Sequence, residues 1–253
     1  MFKGHRISVV TPCYNEEKGV ATILSDMPSC VDEVVVVDNN SKDRTGEVAR
    51  KLGARVALET KQGYGAAYKR GFREVTGDII VTMDGDGTYP RSFIPALLDV
   101  MMEERLDFVT CDRTGYKSRG SGTPLRVFGN WVLSVVETVL FWFHVHDSQS
   151  GMWVFHRDIL PLLDLTSDGM ALSEELKIEA FTRRELRCKE LPIYYRARVG
   201  ESKLNVWKDG FRNLLFLFQK KAAHLSRGRR PAPAGWRTAA VAEPADPPEN
   251  PSQ

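Results

Sequence analysis

The first half of the chain alternates short apolar runs with stretches of helical periodicity. Continuous runs rich in β-branched residues predict strands buried on both faces at 7–11 and 34–37. Further strands are predicted at 55–58, 78–83 and 107–111. Helical periodicity fills the intervals at 16–27, 43–52, 65–75 and 90–104. Strands and helices that alternate at this spacing predict βαβ units, and therefore an α/β fold with a mostly parallel sheet flanked by helices.

The second half is less regular and more apolar. Its predicted elements are a long apolar helix at 125–143, a strand at 151–156, a helix at 171–184, a strand at 188–194 and a helix at 207–227. From residue 228 the chain is rich in proline and alanine, which is typical of a disordered tail. We therefore predict a single domain over residues 1–227 and a disordered tail over 228–253.

Two helices raise the question of a membrane. The stretch 127–145 is long enough to cross about 30 Å of hydrocarbon, but it contains Asn130 and Glu137. Because polar side chains are costly inside a bilayer, we interpret it as a buried or interfacial helix rather than a span. The helix at 207–227 has one apolar face and ends in basic residues, so it either lies on an anionic membrane or covers the sheet.

Composition and charge narrow the function classes. Hydrophobic residues make up 42% of the 253 residues and charged residues 27%, as in ordinary globular proteins. The formal net charge of +2 gives no support for nucleic-acid binding. The four cysteines are widely scattered, which argues against a disulfide scaffold or a zinc ribbon and favours a reducing compartment. The amino terminus becomes polar too early for a signal peptide, so we expect a cytoplasmic location.

Polar side chains follow three of the predicted strands. The strand ends read Thr11-Pro12-Cys13-Tyr14-Asn15-Glu16, Asp38-Asn39-Asn40-Ser41 and Asp84-Gly85-Asp86-Gly87. Open parallel sheets bind ligands beyond the carboxyl ends of their strands. We therefore expect the three sets of side chains to meet at one edge of the sheet.

Asp84 and Asp86 flank a glycine directly after a strand. Two carboxylates at this spacing can hold Mg²⁺ or Mn²⁺, with the phosphates of a ligand completing the coordination shell. The alternative is a solvated Asp-Gly turn. An EF-hand does not fit, because Tyr89 would occupy its glycine position and Pro95 its final glutamate position.

Asp38 follows four valines, where its carboxylate can accept hydrogen bonds from a nucleobase. Alternatively, it simply ends the strand before a helix cap formed by Ser41 or Asp43. Tyr14 can pack on a base or ribose, or be ordinarily buried. The glycine-rich segment 62–65 opens a helix and can bind phosphate, but a turn explains it equally well.

Polar segments in the second half are further candidates. The segment 147–151, Asp-Ser-Gln-Ser-Gly, is either a binding loop or a simple connector. Glu174 and Glu175 stand near the start of a helix, where the helix dipole favours carboxylates. Arg198 and Lys203 lie on a glycine-containing segment that either closes over a diphosphate or is a solvated loop.

Five segments in order, TPCYNEE, VVVVDNNSKD, MDGDGTYP, DSQSG and RVGESKL, resemble the family 2 glycosyltransferases with the GT-A fold, a Rossmann-like architecture. Within that family they are most similar to the dolichyl- and polyprenyl-phosphate sugar transferases. The resemblance spans residues 7 to 218. Each motif is modest on its own, but their order and spacing together are specific.

The resemblance implies a role for individual residues of this chain. It implies a nucleotide pocket formed by Pro12, Tyr14, Glu16 and Asp38. It implies a metal and diphosphate site at Asp84 and Asp86, with further phosphate contacts from Arg198 and Lys203. It implies an acceptor-phosphate contact at Arg126 and catalytic carboxylates at Asp147 and Glu175, with Glu174 one residue away.

Three positions depart from the family pattern. Asn39 stands where relatives often have a second aspartate. Thr88 stands where dolichol-phosphate mannose enzymes often have a glutamine, which weakens the case for GDP-mannose as donor. Many relatives continue into membrane spans, whereas here the helix at 207–227 leads into the polar tail. Membrane attachment would therefore be peripheral, at the cytoplasmic face.

The resemblance implies an inverting, metal-dependent transfer from a UDP- or GDP-sugar to a polyprenyl or dolichyl phosphate. A phosphate acceptor is already ionised and needs little help from a base, whereas a hydroxyl acceptor needs a carboxylate such as Asp147 or Glu175. Two alternatives are a transferase that uses a soluble phosphorylated or glycan acceptor, and a non-catalytic nucleotide-binding module on the same fold.

Overall fold

The computed structural model describes residues 1–114, 124–196 and 206–227. The strands are β1 Ile7–Cys13, β2 Glu33–Asp38, β3 Arg55–Leu58, β4 Ile79–Thr82, β5 Phe108–Asp112, β6 Trp153–His156 and β7 Cys188–Pro192. The helices are α1 Glu17–Leu24, α2 Thr45–Lys51, α3 Tyr64–Glu74, α4 Ile94–Glu103, α5 Pro124–Phe141, α6 Leu172–Phe181 and α7 Val206–Arg227. Short 3₁₀ turns at Arg91–Phe93 and Arg157–Leu162 complete the pattern.

The seven strands form one sheet in the order β3-β2-β1-β4-β6-β5-β7. The pairs β1–β2, β2–β3, β1–β4 and β5–β7 are parallel, which confirms the mostly parallel sheet. β6 is antiparallel to both of its neighbours, β4 and β5. Its amino end therefore lies at the same edge of the sheet as the carboxyl ends of the other strands. The sequence pattern did not predict this reversal.

Each face of the sheet is covered by a hydrophobic core. On one face Val10, Val35 and Phe155 pack with Phe72 of α3 and Leu176 of α6. On the other face residues such as Ile7, Val9 and Val81 pack with Leu97, Leu98 and Met101 of α4. The neighbours Val9 and Val10 thus point to opposite cores, as the alternation of a strand requires. Each such side chain contributes about 1.5–3 kcal/mol when fully buried.

α5 and α7 pack on each other beside α6. Leu133 and Phe141 of α5, Ile178 of α6 and Leu217 of α7 form a third small core. In the part of the chain that the structure describes, α5 is the one helix long and apolar enough to cross a membrane, with a mean hydropathy of 1.2. Only 22% of α5 is buried. The structure thus excludes a fully buried helix, and an interfacial location stays a prediction.

Candidate active site

The loops that follow β1 and β2 are hydrogen-bonded to each other. The Asn15 amide nitrogen donates to Ser41 Oγ at 3.0 Å, and Asn15 Oδ1 accepts from the backbone of Lys42 at 2.7 Å. The backbone of Glu16 donates to Thr45 Oγ1 at 2.9 Å. These bonds hold the residues of the predicted nucleotide pocket at adjoining strand ends. All four are half-buried: Pro12, Tyr14, Glu16 and Asp38.

Asp38 ends β2 opposite Cys13 in the strand register. Its Oδ1 accepts a hydrogen bond from the backbone of Ser41 at 2.9 Å. The carboxylate thus closes the turn after the strand. It stands at the sheet edge where the sequence predicts a nucleotide pocket.

Asn39 joins β2 to the segment before α3. Its side-chain amide donates to the carbonyl oxygens of Glu59 and Lys61 at 2.9 and 2.8 Å, and its Oδ1 accepts from the backbone of Gly63 at 2.8 Å. An ionised aspartate accepts hydrogen bonds but cannot donate them. The departure from the family pattern at this position therefore has a structural reason.

Asp84 and Asp86 lie together at the end of β4. Asp84 Oδ1 accepts from the hydroxyls of Tyr64 and Tyr68 at 3.1 and 3.3 Å. Asp86 Oδ1 accepts from the backbone and hydroxyl of Thr88 at 3.0 and 2.6 Å. Burial and the charge of Asp86 raise the pKa of Asp84 to about 7. The charge of Arg113 and the hydrogen bonds from Tyr64 and Tyr68 lower this pKa, but they do not outweigh burial.

The chemistry of this pair fits a hard divalent cation. Carboxylate oxygens are the ligands that Mg²⁺ and Mn²⁺ prefer, and a cation between them would offset the repulsion that raises the pKa of Asp84. Among the described residues, no group of three or more His, Cys, Asp or Glu side chains forms a complete metal site. Water and the phosphate oxygens of a ligand would complete the shell of a cation held by Asp84 and Asp86.

Two glycines let the strand ends approach closely. A Cβ on Gly85 would lie 2.5 Å from Cys13 Sγ and 2.9 Å from the carbonyl oxygen of Pro12. A Cβ on Gly151 would lie 3.0 Å from Asp84 Oδ1. Any larger side chain would force these segments apart. The end of β4 is therefore in contact with β1 on one side and with the loop before β6 on the other.

The segment 147–151 is a loop whose backbone N–H groups all donate hydrogen bonds. The backbone N–H groups of His146 and Asp147 donate to the carboxylate of Glu190. Those of Ser148 and Gln149 donate to side chains of α5, Ser134 Oγ and Asn130 Oδ1. The N–H of Ser150 donates to the Asp147 carbonyl, and that of Gly151 to Tyr89 Oη. Such a loop is held in one conformation. Whether this segment binds a ligand or only connects two elements stays a prediction.

Arg113 binds Asp147 inside this loop. Its Nε and Nη2 donate to the two carboxylate oxygens at 2.6 and 2.8 Å, and Asn130 donates to Asp147 Oδ1 at 3.1 Å. Burial raises the pKa of Asp147, but the charge and hydrogen bonds of Arg113 outweigh it and bring the pKa to about 2. Arg113 also lies over the ring of Tyr195 at 5.2 Å. Arg126 is half-buried on α5, one turn before Asn130.

Glu175 is fully buried and completely bonded. It accepts from the backbone and hydroxyl of Thr166 at 2.9 and 2.7 Å, from the backbone of Ser167 at 2.8 Å and from Lys220 Nζ at 2.9 Å. These contacts join α6 to α7 and to the preceding loop. The structure thus gives Glu175 a structural explanation that its place in the sequence did not reveal.

Glu174, one residue earlier, is the carboxylate of this pair that contacts the 147–151 loop. Its Oε1 accepts from Gln149 Nε2 at 2.7 Å, and its Oε2 has no hydrogen-bond partner among the described residues. Burial raises the pKa of Glu174 to about 8, so the side chain is largely protonated at neutral pH.

Arg198 and Lys203 lie outside the described residues. The segment that leads to them runs along the loop after β4, because the backbone of Arg196 donates to the carbonyl oxygen of Thr88 at 2.9 Å. The predicted phosphate-contacting residues therefore follow directly on a segment that touches the Asp84–Asp86 turn.

The glycine-rich segment 62–65 leads into α3, whose first two residues are Tyr64 and Gly65. The first amides of α3 are taken by a neighbouring loop: Gly65 donates to the carbonyl of Gly169 at 3.2 Å and Ala66 to that of Asp168 at 3.1 Å. These amides are therefore occupied, and the phosphate-binding interpretation does not hold for them. The segment contributes to the site through the hydroxyl of Tyr64.

Comparison with known families now becomes informative. A sequence model described as "Glycosyl transferase family 2" matches residues 8–162, which is more than half of the chain. This chain belongs to glycosyl transferase family 2. It is a glycosyltransferase, so the non-catalytic alternative does not hold.

Two relatives within glycosyl transferase family 2 come from Haloferax volcanii. Its dolichyl-phosphate hexose transferase is 36% identical over 209 residues, which cover 81% of this chain and 89% of that protein. Its low-salt glycan biosynthesis hexosyltransferase Agl6 is 35% identical over 226 residues, or 87% of this chain. This chain spans 54% of the length of Agl6.

Solved structures support the GT-A fold. Glucosyl-3-phosphoglycerate synthase from Mycobacterium tuberculosis, crystallised with Mn²⁺, UDP-glucose and phosphoglyceric acid, superimposes with a TM-score of 0.70 at 23% identity. The match covers 87% of this chain and 80% of that chain. The predicted single-domain α/β architecture of a family 2 glycosyltransferase is confirmed.

Several residues of this glycosyltransferase site were not predicted. Arg113 directly follows β5, so the strand-end rule that selected Asp84 and Asp86 would also have selected it. Tyr68 and Lys177 lie inside helices, at positions that look ordinary in the sequence. No sequence signal marks them, because their roles depend on which strand each helix covers.

Proposed function

We propose that this chain transfers a sugar from a nucleotide-diphosphate sugar to a polyprenyl or dolichyl phosphate at a membrane surface, with inversion at the anomeric carbon. Its membership of glycosyl transferase family 2 supports the reaction class, and the 36% identical relative named dolichyl-phosphate hexose transferase supports the acceptor class. A GDP- or UDP-linked donor is compatible with the site.

The observation that carries this proposal is that the two candidate bases, Asp147 and Glu175, are both held in buried ion pairs. Asp147 is held by Arg113 with a pKa of about 2, and Glu175 is held by Lys220 and a loop. The oxygens of both carboxylates are already taken by these hydrogen bonds, so neither is free to accept the proton of a hydroxyl. An acceptor phosphate arrives already ionised, so it needs positioning and electrostatic help rather than a base.

The remaining roles, in binding the donor and its metal ion, fall to side chains at the strand ends. Asp84 and Asp86 would hold Mg²⁺ or Mn²⁺, which when bound offsets the charge of the leaving diphosphate. Tyr14, Glu16, Pro12 and Asp38 would receive the nucleoside. The acceptor oxygen attacks the anomeric carbon from the face opposite the diphosphate, and the electron pair of the broken C–O bond leaves with the nucleoside diphosphate.

Cationic residues on the acceptor side would draw the acceptor phosphate to the site. Arg113 is fixed by Asp147, and Arg126 lies on α5 one turn before Asn130, which also binds Asp147. Arg198 and Lys203, outside the described residues, would contact the diphosphate. A guanidinium paired with a buried carboxylate keeps its charge and its direction, which makes it a preorganised phosphate contact.

The outer faces of α5 and α7 fit a lipid surface. Apolar side chains are exposed along both helices: Val127, Phe128, Trp131, Val135 and Val139 on α5, and Trp207, Phe211, Leu215 and Phe218 on α7. Pro124, Val127, Phe128 and Trp131 line an open apolar groove of about 520 Å³ at the start of α5. Exposed apolar surface on paired helices is typical of peripheral attachment to a membrane.

The test is transfer of radiolabelled sugar into an organic-extractable product. UDP- and GDP-sugars are supplied in turn with Mn²⁺ or Mg²⁺ and a polyprenyl phosphate, with the Asp86→Asn variant as the inactive control. Metal-dependent label in the organic phase is expected and would name the donor. Label that stays in the aqueous phase, only in the presence of small phosphorylated acceptors, would replace the lipid with a soluble acceptor.

A further inference from the structure

Lys177 of α6 is a fully buried lysine that binds three backbone carbonyls of one loop. Its Nζ donates to the carbonyl oxygens of Asp147, Ser148 and Ser150 at 2.8, 2.6 and 3.1 Å. An ammonium group has three protons, so all of its donor capacity is used on this loop. The side chain thus fills the inside of the turn that carries Asp147.

The charge of Lys177 is surrounded by buried charged groups. Burial lowers the pKa of Lys177, while the facing carboxylates of Asp147, Glu137 and Glu190 raise it and the charge of Arg113 lowers it again. Both oxygens of the buried Glu137 side chain lack a hydrogen-bond partner among the described residues. Lys177 is therefore not paired by a direct hydrogen bond to Glu137, and its bonds go to the loop backbone.

The loop leads directly to the predicted metal site. Gly151 follows the last of the three bound carbonyls, and its backbone packs against Asp84 so closely that a Cβ would lie 3.0 Å from Asp84 Oδ1. The carbonyl of Gly151 accepts from Thr82 Oγ1 at 2.9 Å, at the end of β4. A shift of the loop would therefore move both the Arg113–Asp147 pair and the wall beside Asp84.

We propose that Lys177 is a positioning residue, which fixes the 147–151 loop so that Asp147 orients Arg113 and Gly151 supports Asp84. The proposal deepens the proposed function and rests on it for the catalytic consequence. Misplacement of reacting groups by about 1 Å can cost about 100-fold in rate. Lys177 achieves its effect without touching substrate, through the backbone of the loop.

The test combines an exchange measurement with kinetics on the full chain. Lys177→Met keeps the length of the side chain and removes all three donors. Hydrogen–deuterium exchange of peptides covering 146–151 is expected to become faster by about tenfold or more, since the loop loses its inner contacts. The kcat for sugar transfer is expected to fall about 10- to 100-fold, because the loop no longer holds Arg113 and the wall beside Asp84 in place.

Arg183→Met is the matched control, because Arg183 is also a buried cation that binds a loop carbonyl, that of Leu162. It is expected to lower stability without faster exchange at 146–151. If Lys177→Met does not fold, Lys177→Gln keeps two of the three donors and should give an intermediate exchange rate. Unchanged exchange at 146–151 in a folded Lys177 variant, or a kcat equal to that of Arg183→Met, overturns the proposal. An inactive wild type would overturn the proposed function instead, and the exchange result would still judge the role of Lys177 in the loop.

Discussion

The guanidinium of Arg113 and the buried carboxylate of Asp147 form a two-pronged ion pair, with N–O distances of 2.6 and 2.8 Å. The pair joins the end of β5 to the loop that precedes the antiparallel strand β6. The backbone of Arg113 also donates to Asp147 Oδ2 at 3.0 Å. Asp147, the acidic residue of the DSQSG segment, therefore orients the guanidinium of Arg113, whose charge also acts on Asp84.

Arg113→Lys should lower kcat by about 10- to 100-fold, because an ammonium cannot reproduce a planar two-point contact with Asp147. The donor KM should change little, since the nucleotide pocket lies on β1 and β2. Steady-state kinetics at saturating metal measure both values.

The matched control for this change is Arg183→Lys, which alters a buried arginine two residues beyond the end of α6. Its kcat should stay within about threefold of the wild type. Equal kcat values for Arg113→Lys and Arg183→Lys would contradict the proposed contact between Arg113 and the acceptor phosphate.

The sequence predicted the sheet and the convergence of its strand ends because both follow from local pattern. Valine runs mark strands that are buried on both faces, and polar residues after them mark the carboxyl edge. The direction of β6 could not be read in this way. A short apolar strand has the same pattern in either direction, so the arrival of the 147–151 loop at the ligand edge appears only in the fold.

Charged residues inside helices were harder still to interpret from sequence. Glu174, Glu175 and Lys177 occupy one turn of α6, and a helix dipole explains acidic residues there equally well. The fold separates them: Glu175 faces Lys220, while Glu174 and Lys177 face the loop. Such assignments depend on the neighbours of each helix face, which composition and spacing do not specify.

Asp84→Asn and Asp86→Asn should each reduce transfer by at least about 100-fold and abolish the Mn²⁺ dependence of UDP binding. Each change removes an anionic oxygen ligand from the pair. Isothermal titration with UDP in the presence and absence of Mn²⁺ provides the measurement. Asp78→Asn, just before β4 at the opposite edge of the sheet, is the control and should leave metal-dependent binding intact. Retained metal dependence in both Asp84→Asn and Asp86→Asn would assign the cation to other ligands.

Glu175→Gln distinguishes a structural from a catalytic role for that carboxylate. The change breaks the buried pair with Lys220, and loss of one partner of such a pair costs about 3–5 kcal/mol. We expect Tm to fall by about 10 °C and kcat, measured well below Tm, to stay within about threefold of the wild type. If a fully folded variant instead turned over about 100-fold more slowly, Glu175 would be restored as a catalytic base.

Glu179 makes stability depend on pH in the acid range. Burial raises its pKa, but the neighbouring His224 and Lys220, at 2.9 and 2.8 Å, outweigh burial and bring the pKa to about 2. Relative to the ordinary value of 4.5, this corresponds to about 3 kcal/mol of folding free energy. Because the folded-state pKa is lowered, that contribution is complete above pH 4.5 and is lost as the pH falls towards 2.

The measurement for Glu179 is the free energy of unfolding of wild type and Glu179→Gln between pH 7 and pH 3. The wild type should be more stable at pH 7 by up to about 3 kcal/mol, and the difference should shrink below pH 4.5. A difference that stays constant over this range would show that the carboxylate charge is not responsible.

Membrane attachment through α5 and α7 predicts a specific behaviour of exposed apolar residues. Phe211 and Trp131 point away from the protein on the two helices, so Phe211→Ser and Trp131→Ser should weaken flotation with anionic liposomes by about tenfold each, without lowering Tm. Leu58→Ser, an equally exposed apolar residue on β3, should float like the wild type. Transfer to a lipid-linked acceptor in liposomes should fall with binding, while transfer to a short, water-soluble isoprenyl phosphate should not. If the wild type does not bind liposomes at low salt, the apolar faces of α5 and α7 must be covered by another protein surface, and the lipid acceptor loses its structural support.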